Sequence, residues 1–140
     1  MRPAPLFSER STTVQVITGG VVPALFGAIT GVALGASAAL YWLLSLLALI
    51  GGVGAGFEHR DGWGGADRGL VGGTLFGTFL LIAHAITGAD AEVELPGFEP
   101  ILVVFTAIFG VLSGALGGRL RRAVMARQAV AEAGPDATPQ

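Results

Sequence analysis

Long apolar stretches follow one another along this sequence, and short segments between them carry almost all of its charges. The apolar stretches cover residues 14–34, 38–57, 70–87 and 101–120. About 20 helical residues, at a rise of about 1.5 Å each, cross a hydrocarbon core about 30 Å thick. Arg119, near the end of the last stretch, can extend its head group to the membrane surface. The pattern predicts an all-α polytopic membrane protein with four transmembrane helices.

The same pattern predicts one four-helix transmembrane domain, residues 1–127. Residues 128–140 follow as a disordered cytoplasmic tail, which ends in a Gly-Pro-Asp-Ala-Thr-Pro-Gln sequence. Gly35, Ala36 and Ser37 alone separate the first two spans. A turn of such small residues favours a tight helical hairpin.

The basic residues all fall on one side of the membrane if the chain crosses it four times. They are Arg2, Arg10, Arg60, Arg68, Arg119, Arg121, Arg122 and Arg127. The segment between the third and fourth spans, residues 88–100, instead holds four acids and no base. Because basic residues concentrate in cytoplasmic segments, we expect a multi-pass protein of the cell membrane with both termini in the cytoplasm.

A secretory signal peptide is a competing interpretation of the first span. Two arginines precede it, and Ala36-Ser37-Ala38 resembles a cleavage site. The apolar run is, however, longer than the roughly 7–15 residues of a signal-peptide core. We therefore expect the first span to be a transmembrane helix.

The composition agrees with a membrane location. The chain of 140 residues is 52% hydrophobic and 13% charged, and its mean hydropathy is +0.70. A soluble domain has about 25% charged residues. The absence of cysteine excludes disulfides and thiolate metal sites, and a net charge of −2 is too small to attract nucleic acid. We expect no cofactor and no metal, and the lipid bilayer as the main partner.

Glycines recur at every fourth position within the predicted helices. The strips comprise Gly27, Gly31 and Gly35; Gly52 and Gly56; Gly69, Gly73 and Gly77; and Gly110, Gly114 and Gly118. Residues four apart share a helix face, so the strips predict close helix contacts, as in a glycine zipper. These contacts form either within one subunit or between subunits of a homo-oligomer. The second alternative is open because four short helices have fewer interior faces than there are glycine strips to bury.

Pro23 lies in the middle of the first span. It has no N–H group, so the carbonyl of Gly19 loses its helical partner and the helix should bend. The bend either serves as a gate or fits the helix to its neighbours.

Apart from Arg119, His84 is the only side chain in the spans that can carry a charge near neutral pH. It shares a face with the glycine strip of the third helix, so we expect it to face protein. Such a residue is a candidate for a proton relay, a pore-lining group or a metal ligand. The alternative is a neutral histidine bonded to a hydroxyl of a neighbouring helix. Thr74 and Thr78 flank the strip and are candidates for the same polar path or for local bonds to the backbone.

The segment 58–69 between the second and third spans is the densest cluster of chemistry in the chain. Glu58, His59, Arg60 and Asp61 begin it and are candidates for a cytoplasmic mouth or a docking patch. A solvated turn with local ion pairs is the alternative. A single histidine is a poor basis for a transition-metal site, and the glycines here do not form a phosphate-binding motif.

Two stretches, GGVGAGFEHRDGWGGADRGLVGGTLFG and GVLSGALGGRLRR, resemble uncharacterised families of small glycine-rich, four-helix membrane proteins of archaea and high-GC bacteria. The resemblance covers about residues 50–80 and 108–122. It implies a fold of four membrane helices and brings no activity with it.

Two functions follow from these features. The first is a small membrane scaffold or accessory subunit that self-associates or packs with a membrane partner. The second is a small oligomeric ion or solute channel or transporter with a path near His84. We expect no enzyme, because the chain has no HExxH motif, no paired acids within the spans and no Ser/His/Asp set.

Overall fold

A computed structural model describes residues 6–133. A short 3₁₀ turn, Phe7–Glu9, precedes four long helices. The helices are α1, Thr12–Leu34; α2, Ala38–Phe57; α3, Gly62–Thr87; and α4, Ile101–Ala133. Each contains a stretch that is long and apolar enough to cross a membrane. The predicted all-α fold with four spans is confirmed.

The third helix begins earlier than predicted, at Gly62 rather than Leu70. Asp61 is its N-cap, and its carboxylate accepts a hydrogen bond from the backbone N–H of Gly64 at 2.9 Å. A capping side chain satisfies one of the orphan donors of the first turn. The predicted loop 58–69 therefore shortens to the turn 58–61.

The fourth helix extends beyond the predicted span and ends at Ala133. Residues 128–133, which we expected in a disordered tail, are helical. The segment is rich in alanine, which has the highest helix propensity. The rest of the predicted tail, residues 134–140, lies outside the described residues.

The helices pack in the order α1, α3, α4, α2 around the bundle. The most extensive contact joins α3 to α4, followed by α1 with α3 and then α2 with α4. The two helices of the first hairpin, α1 and α2, touch each other much less. Each helix of that hairpin therefore packs mainly on a helix of the second one.

Side-chain contacts place arginines at one end of the bundle and the acidic segment after α3 at the other. At one end Arg10 pairs with Glu58 at 2.7 Å, and Arg121 donates to the carbonyl of Phe57 at 3.1 Å. We call this end the arginine end. At the other end the acidic segment after α3 covers a small core, in which Leu34 and Leu80 are almost fully buried.

Candidate functional site

The glycine strips lie at the closest approaches between helices. A Cβ atom added to Gly69 would lie 3 Å or less from the backbone of Gly110, and one added to Gly110 would meet the backbone of Gly69 in the same way. At Gly73 the added atom would meet the backbone of Thr106. Real Cβ atoms essentially never come so close. The surfaces of α3 and α4 therefore touch backbone to backbone.

The first helix approaches α3 in the same manner. Added Cβ atoms on Gly27 and Gly31 would collide with the backbone of Phe76 and Leu80, respectively. At Gly35 the added atom would lie 2.9 Å from the Cβ of Ala89. The α1 strip is thus covered along its length by α3 and the segment that follows it.

Each of the remaining strip glycines also meets another segment of this chain. Gly52 faces the hydroxyl of Ser113, Gly77 faces that of Thr106, and Gly56, Gly114 and Gly118 face backbone atoms of other helices or turns. Two further glycines that the spacing rule did not select, Gly65 and Gly117, make equally close contacts. By contrast, within residues 6–133 no heavy atom of another segment comes within 4 Å of a Cβ added to Gly51 or Gly54.

Arg68 occupies the break in the first helix. Residues Ile17–Val21 form a π-helical turn, and the N–H of Val22 bonds to the carbonyl of Ile17. That shift removes the donor that the carbonyl of Thr18 would have in an α-helix, and Pro23 provides none for Gly19. The guanidinium of Arg68 donates to both carbonyls, and its Nη1 lies 3.1 Å from the oxygen of Gly19.

The N-terminal segment covers this arginine. The ring of Phe7 lies 5.4 Å from the Arg68 guanidinium carbon and stacks on His59 at 5.4 Å between ring centroids. The backbone N–H of Phe7 donates to the carbonyl of Glu58 at 3.0 Å. Within residues 6–133 the Nε of Arg68 has no hydrogen-bond partner. An intramembrane or buried arginine bound by backbone carbonyls is a candidate functional residue.

The four candidate residues of the turn 58–61 point to different neighbours. Glu58 pairs with Arg10, and His59 Nδ1 lies 3.2 Å from the carbonyl of Ala55. Asp61 caps α3, while Arg60 is exposed and faces α4. The turn is therefore held by local contacts of His59 and Asp61 and by the ion pair of Glu58 with the N-terminal segment, and its acids and histidine do not converge on one point. No group of three metal-binding side chains occurs among the described residues.

His84 is buried, with 9% of its surface exposed, and lies one turn from the C-terminal end of α3. A Cβ added to Gly35 would lie 3.6 Å from its Nδ1, so the ring packs against the end of α1. Within the described part of the chain, Nδ1 has no hydrogen-bond partner. The ring faces protein, but it does not use Nδ1 to bind the hydroxyl that we expected from a neighbouring helix.

The structure does not bring the two threonines to His84. Thr74 is exposed and lines a surface groove of about 480 Å³ between α3 and α4, together with apolar side chains such as Val104 and Ile108. It precedes His84 by about 15 Å along the helix axis. Thr78 is half-buried and lies more than one turn from His84.

Sequence reasoning identified the free carbonyl of Gly19 and missed its donor. The sequence pattern places Arg68 in the segment between the second and third spans, where it indicates only a positive charge. It lies nearly two turns inside α3, because Asp61 is the N-cap and the helix begins at Gly62. Asp61 itself was the available signal for the start of the helix at Gly62 and Trp63, since aspartate is a preferred N-cap residue.

Comparisons of this chain with protein families, with curated proteins and with solved structures found no match.

Proposed function

We propose that this chain is a small integral membrane scaffold or accessory subunit, which self-associates or packs with a membrane partner through the outer face of α2. The observation that carries the proposal is the pair Gly51 and Gly54. A Cβ atom added to either of these helical glycines would lie in open space. A Cβ atom added to any glycine of the predicted strips would instead meet another segment of the chain.

The outer face of α2 is suited to a further helix. Leu43, Leu47 and Ile50 share this face with Gly51 and Gly54, at spacings of three and four residues, and all five are exposed. The α2 helix is also the least covered of the four: 6% of its apolar window is buried, against 17–22% for the others. Small residues beside large apolar ones allow close packing of membrane helices.

The arrangement of charges supports an orientation with both termini in the cytoplasm. The described arginines that make ion pairs or carbonyl contacts lie at the arginine end; they are Arg10, Arg68, Arg121 and Arg122. The acidic residues Asp90, Glu92 and Glu94 lie at the opposite end. Basic residues are retained on the cytoplasmic side during insertion. The open glycines of α2 then lie in the cytoplasmic half of the bilayer.

Single cysteines test the interface, because the natural chain has none. Gly54→Cys should cross-link in native membranes, either to a second copy or to one discrete partner. Val16→Cys, on the exposed surface of α1 near the same end of the bundle as Gly54, is the matched control. If Gly54→Cys cross-links no more than Val16→Cys, α2 faces lipid and the proposal is wrong.

A second measurement separates loss of assembly from loss of fold. Gly51→Leu and Gly54→Leu should reduce the assembled mass in mild detergent while the melting temperature stays close to that of the unaltered protein. A large side chain at an open position disturbs only what lies outside the subunit. Unchanged assembly in both variants would contradict the proposal.

An oligomeric channel or transporter with a path near His84 is the second candidate. The buried Nδ1 of His84 favours it, because this atom has no hydrogen-bond partner in the described part of the chain and an ionisable group in a membrane helix often marks an ion path. The exposed position of Thr74, away from His84, weighs against it.

A further inference from the structure

A surface groove at the arginine end combines positive charge with apolar walls. It has a volume of about 490 Å³. Its lining consists of Leu6, Arg60, Arg121, Arg122, Met125 and Ala126. Three segments contribute to it: the N-terminal segment, the turn between α2 and α3, and α4. The scaffold function proposed above makes no use of this groove.

Among the described residues, no carboxylate lies at hydrogen-bonding distance from Arg60 or Arg122. Arg122 approaches Asp61 at 3.9 Å, which is too long for a direct hydrogen bond, and its side chain is 70% exposed. Arg60 is exposed, and within residues 6–133 no carboxylate lies within 4 Å of it. Arg121 is buried and held by the carbonyl of Phe57, so its charge is fixed beside the groove. Guanidinium groups in such a setting match the geometry of a phosphate.

The groove lies at the depth of lipid headgroups. From Ile101, where α4 begins, to Arg121 the helix rises by about 30 Å, the thickness of the hydrocarbon core. Apolar side chains of Met125 and Leu6 line the groove beside the charges. A free phosphate ion would use only the arginines, whereas a phospholipid also offers apolar atoms next to its phosphate.

We infer that this groove binds the headgroup of an anionic phospholipid, with Arg60 and Arg122 contacting the phosphate and Leu6 and Met125 contacting the glycerol region. The bound lipid joins the turn 58–61 to the helical extension of α4. The site is independent of self-association through α2, so either proposal can fail without the other.

Native mass spectrometry of the purified full chain in detergent tests the site. Phosphatidylglycerol and phosphatidylcholine are added at matched concentrations, and the retained lipid is counted. We expect phosphatidylglycerol to be retained preferentially. Arg60→Gln and Arg122→Gln should each weaken its binding by about fivefold, the effect of one basic residue at an anionic membrane surface.

Arg127→Gln is the matched control, because it removes the same charge from α4 at an exposed position outside the groove. It should change binding by less than about twofold. Melting curves provide the second measurement: phosphatidylglycerol should stabilise the native chain and the Arg127→Gln variant, but not the Arg60→Gln/Arg122→Gln double variant.

Three results would overturn the inference. The first is equal retention of the two lipids. The second is an equal loss of binding in Arg122→Gln and Arg127→Gln, which would indicate a diffuse charge effect. The third is displacement of the lipid by millimolar inorganic phosphate, which would show that the groove recognises the free ion.

Discussion

Substitution of Gly114 by alanine is the sharpest test of the backbone contacts, because Gly114 lies where α3 and α4 touch. The new Cβ would lie 2.9 Å from the carbonyl carbon of Gly65, even closer to its oxygen, and 3.2 Å from the Cα of Gly69. Restoring an ordinary contact requires the two backbones to separate by roughly 1 Å. That shift also loosens the neighbouring contact between Gly69 and Gly110.

The expected cost follows from comparison with Gly51→Ala. Both substitutions remove a helical glycine, so both gain the same roughly 0.5–1 kcal/mol of backbone entropy, and this gain cancels in the difference. The remaining difference is the cost of overpacking, about 1–3 kcal/mol. Gly51→Ala adds its methyl group in open space. We therefore expect Gly114→Ala to be less stable than Gly51→Ala by about 1–3 kcal/mol.

Reversible unfolding in mixed detergent micelles, with SDS as the denaturant, measures this difference. The protein concentration is kept low enough for both variants to be monomeric, and the mass is checked. Gly114→Leu should show a larger loss, because its side chain cannot fit without parting the helices. Equal stability of the two alanine variants, within about 0.5 kcal/mol, would show that the helices do not touch at Gly114.

Three further predictions concern the arginine break, the topology and the histidine. Arg68→Gln should destabilise the bundle by about 1.5–3 kcal/mol and increase amide exchange in the π-helical turn, and Arg68→Lys should partly restore both properties. Unchanged amide exchange in Arg68→Gln would refute the carbonyl contacts. Cysteine at Ala89 should react with an impermeant reagent on intact cells, whereas cysteine at Ala131 should not; the reverse pattern would overturn the orientation. His84→Ala should leave ion flux into liposomes unchanged, and selective flux that the variant abolishes would establish the channel.

The sequence predicts the number of spans well, because nothing but a helix satisfies its backbone over 20 apolar residues in lipid. The end of α1 at Leu34 and both ends of α2 also match the prediction. The start of α3 was missed because glycine and charge in residues 62–69 are typical of a loop. There the close contacts of Gly65 and Gly69 with α4 outweigh the low helix propensity of glycine.

The candidate site was only half predictable. Proline chemistry is local, so Pro23 alone indicates a free carbonyl at Gly19. The donor, Arg68, lies 49 residues further along the chain, and no local rule connects the two. Similarly, helical periodicity indicated that His84 faces protein. It did not show that the neighbour would be Gly35, which has no side chain to bind the ring.

The bond between Arg68 and the broken first helix has a consequence for biogenesis. Ribosomes release α1 and α2 first, yet the carbonyls of Thr18 and Gly19 receive their side-chain donor only when α3 arrives. In hydrocarbon an unsatisfied carbonyl costs several kcal/mol. The first hairpin therefore lacks both of these hydrogen bonds until the third helix has been synthesised and has packed against it.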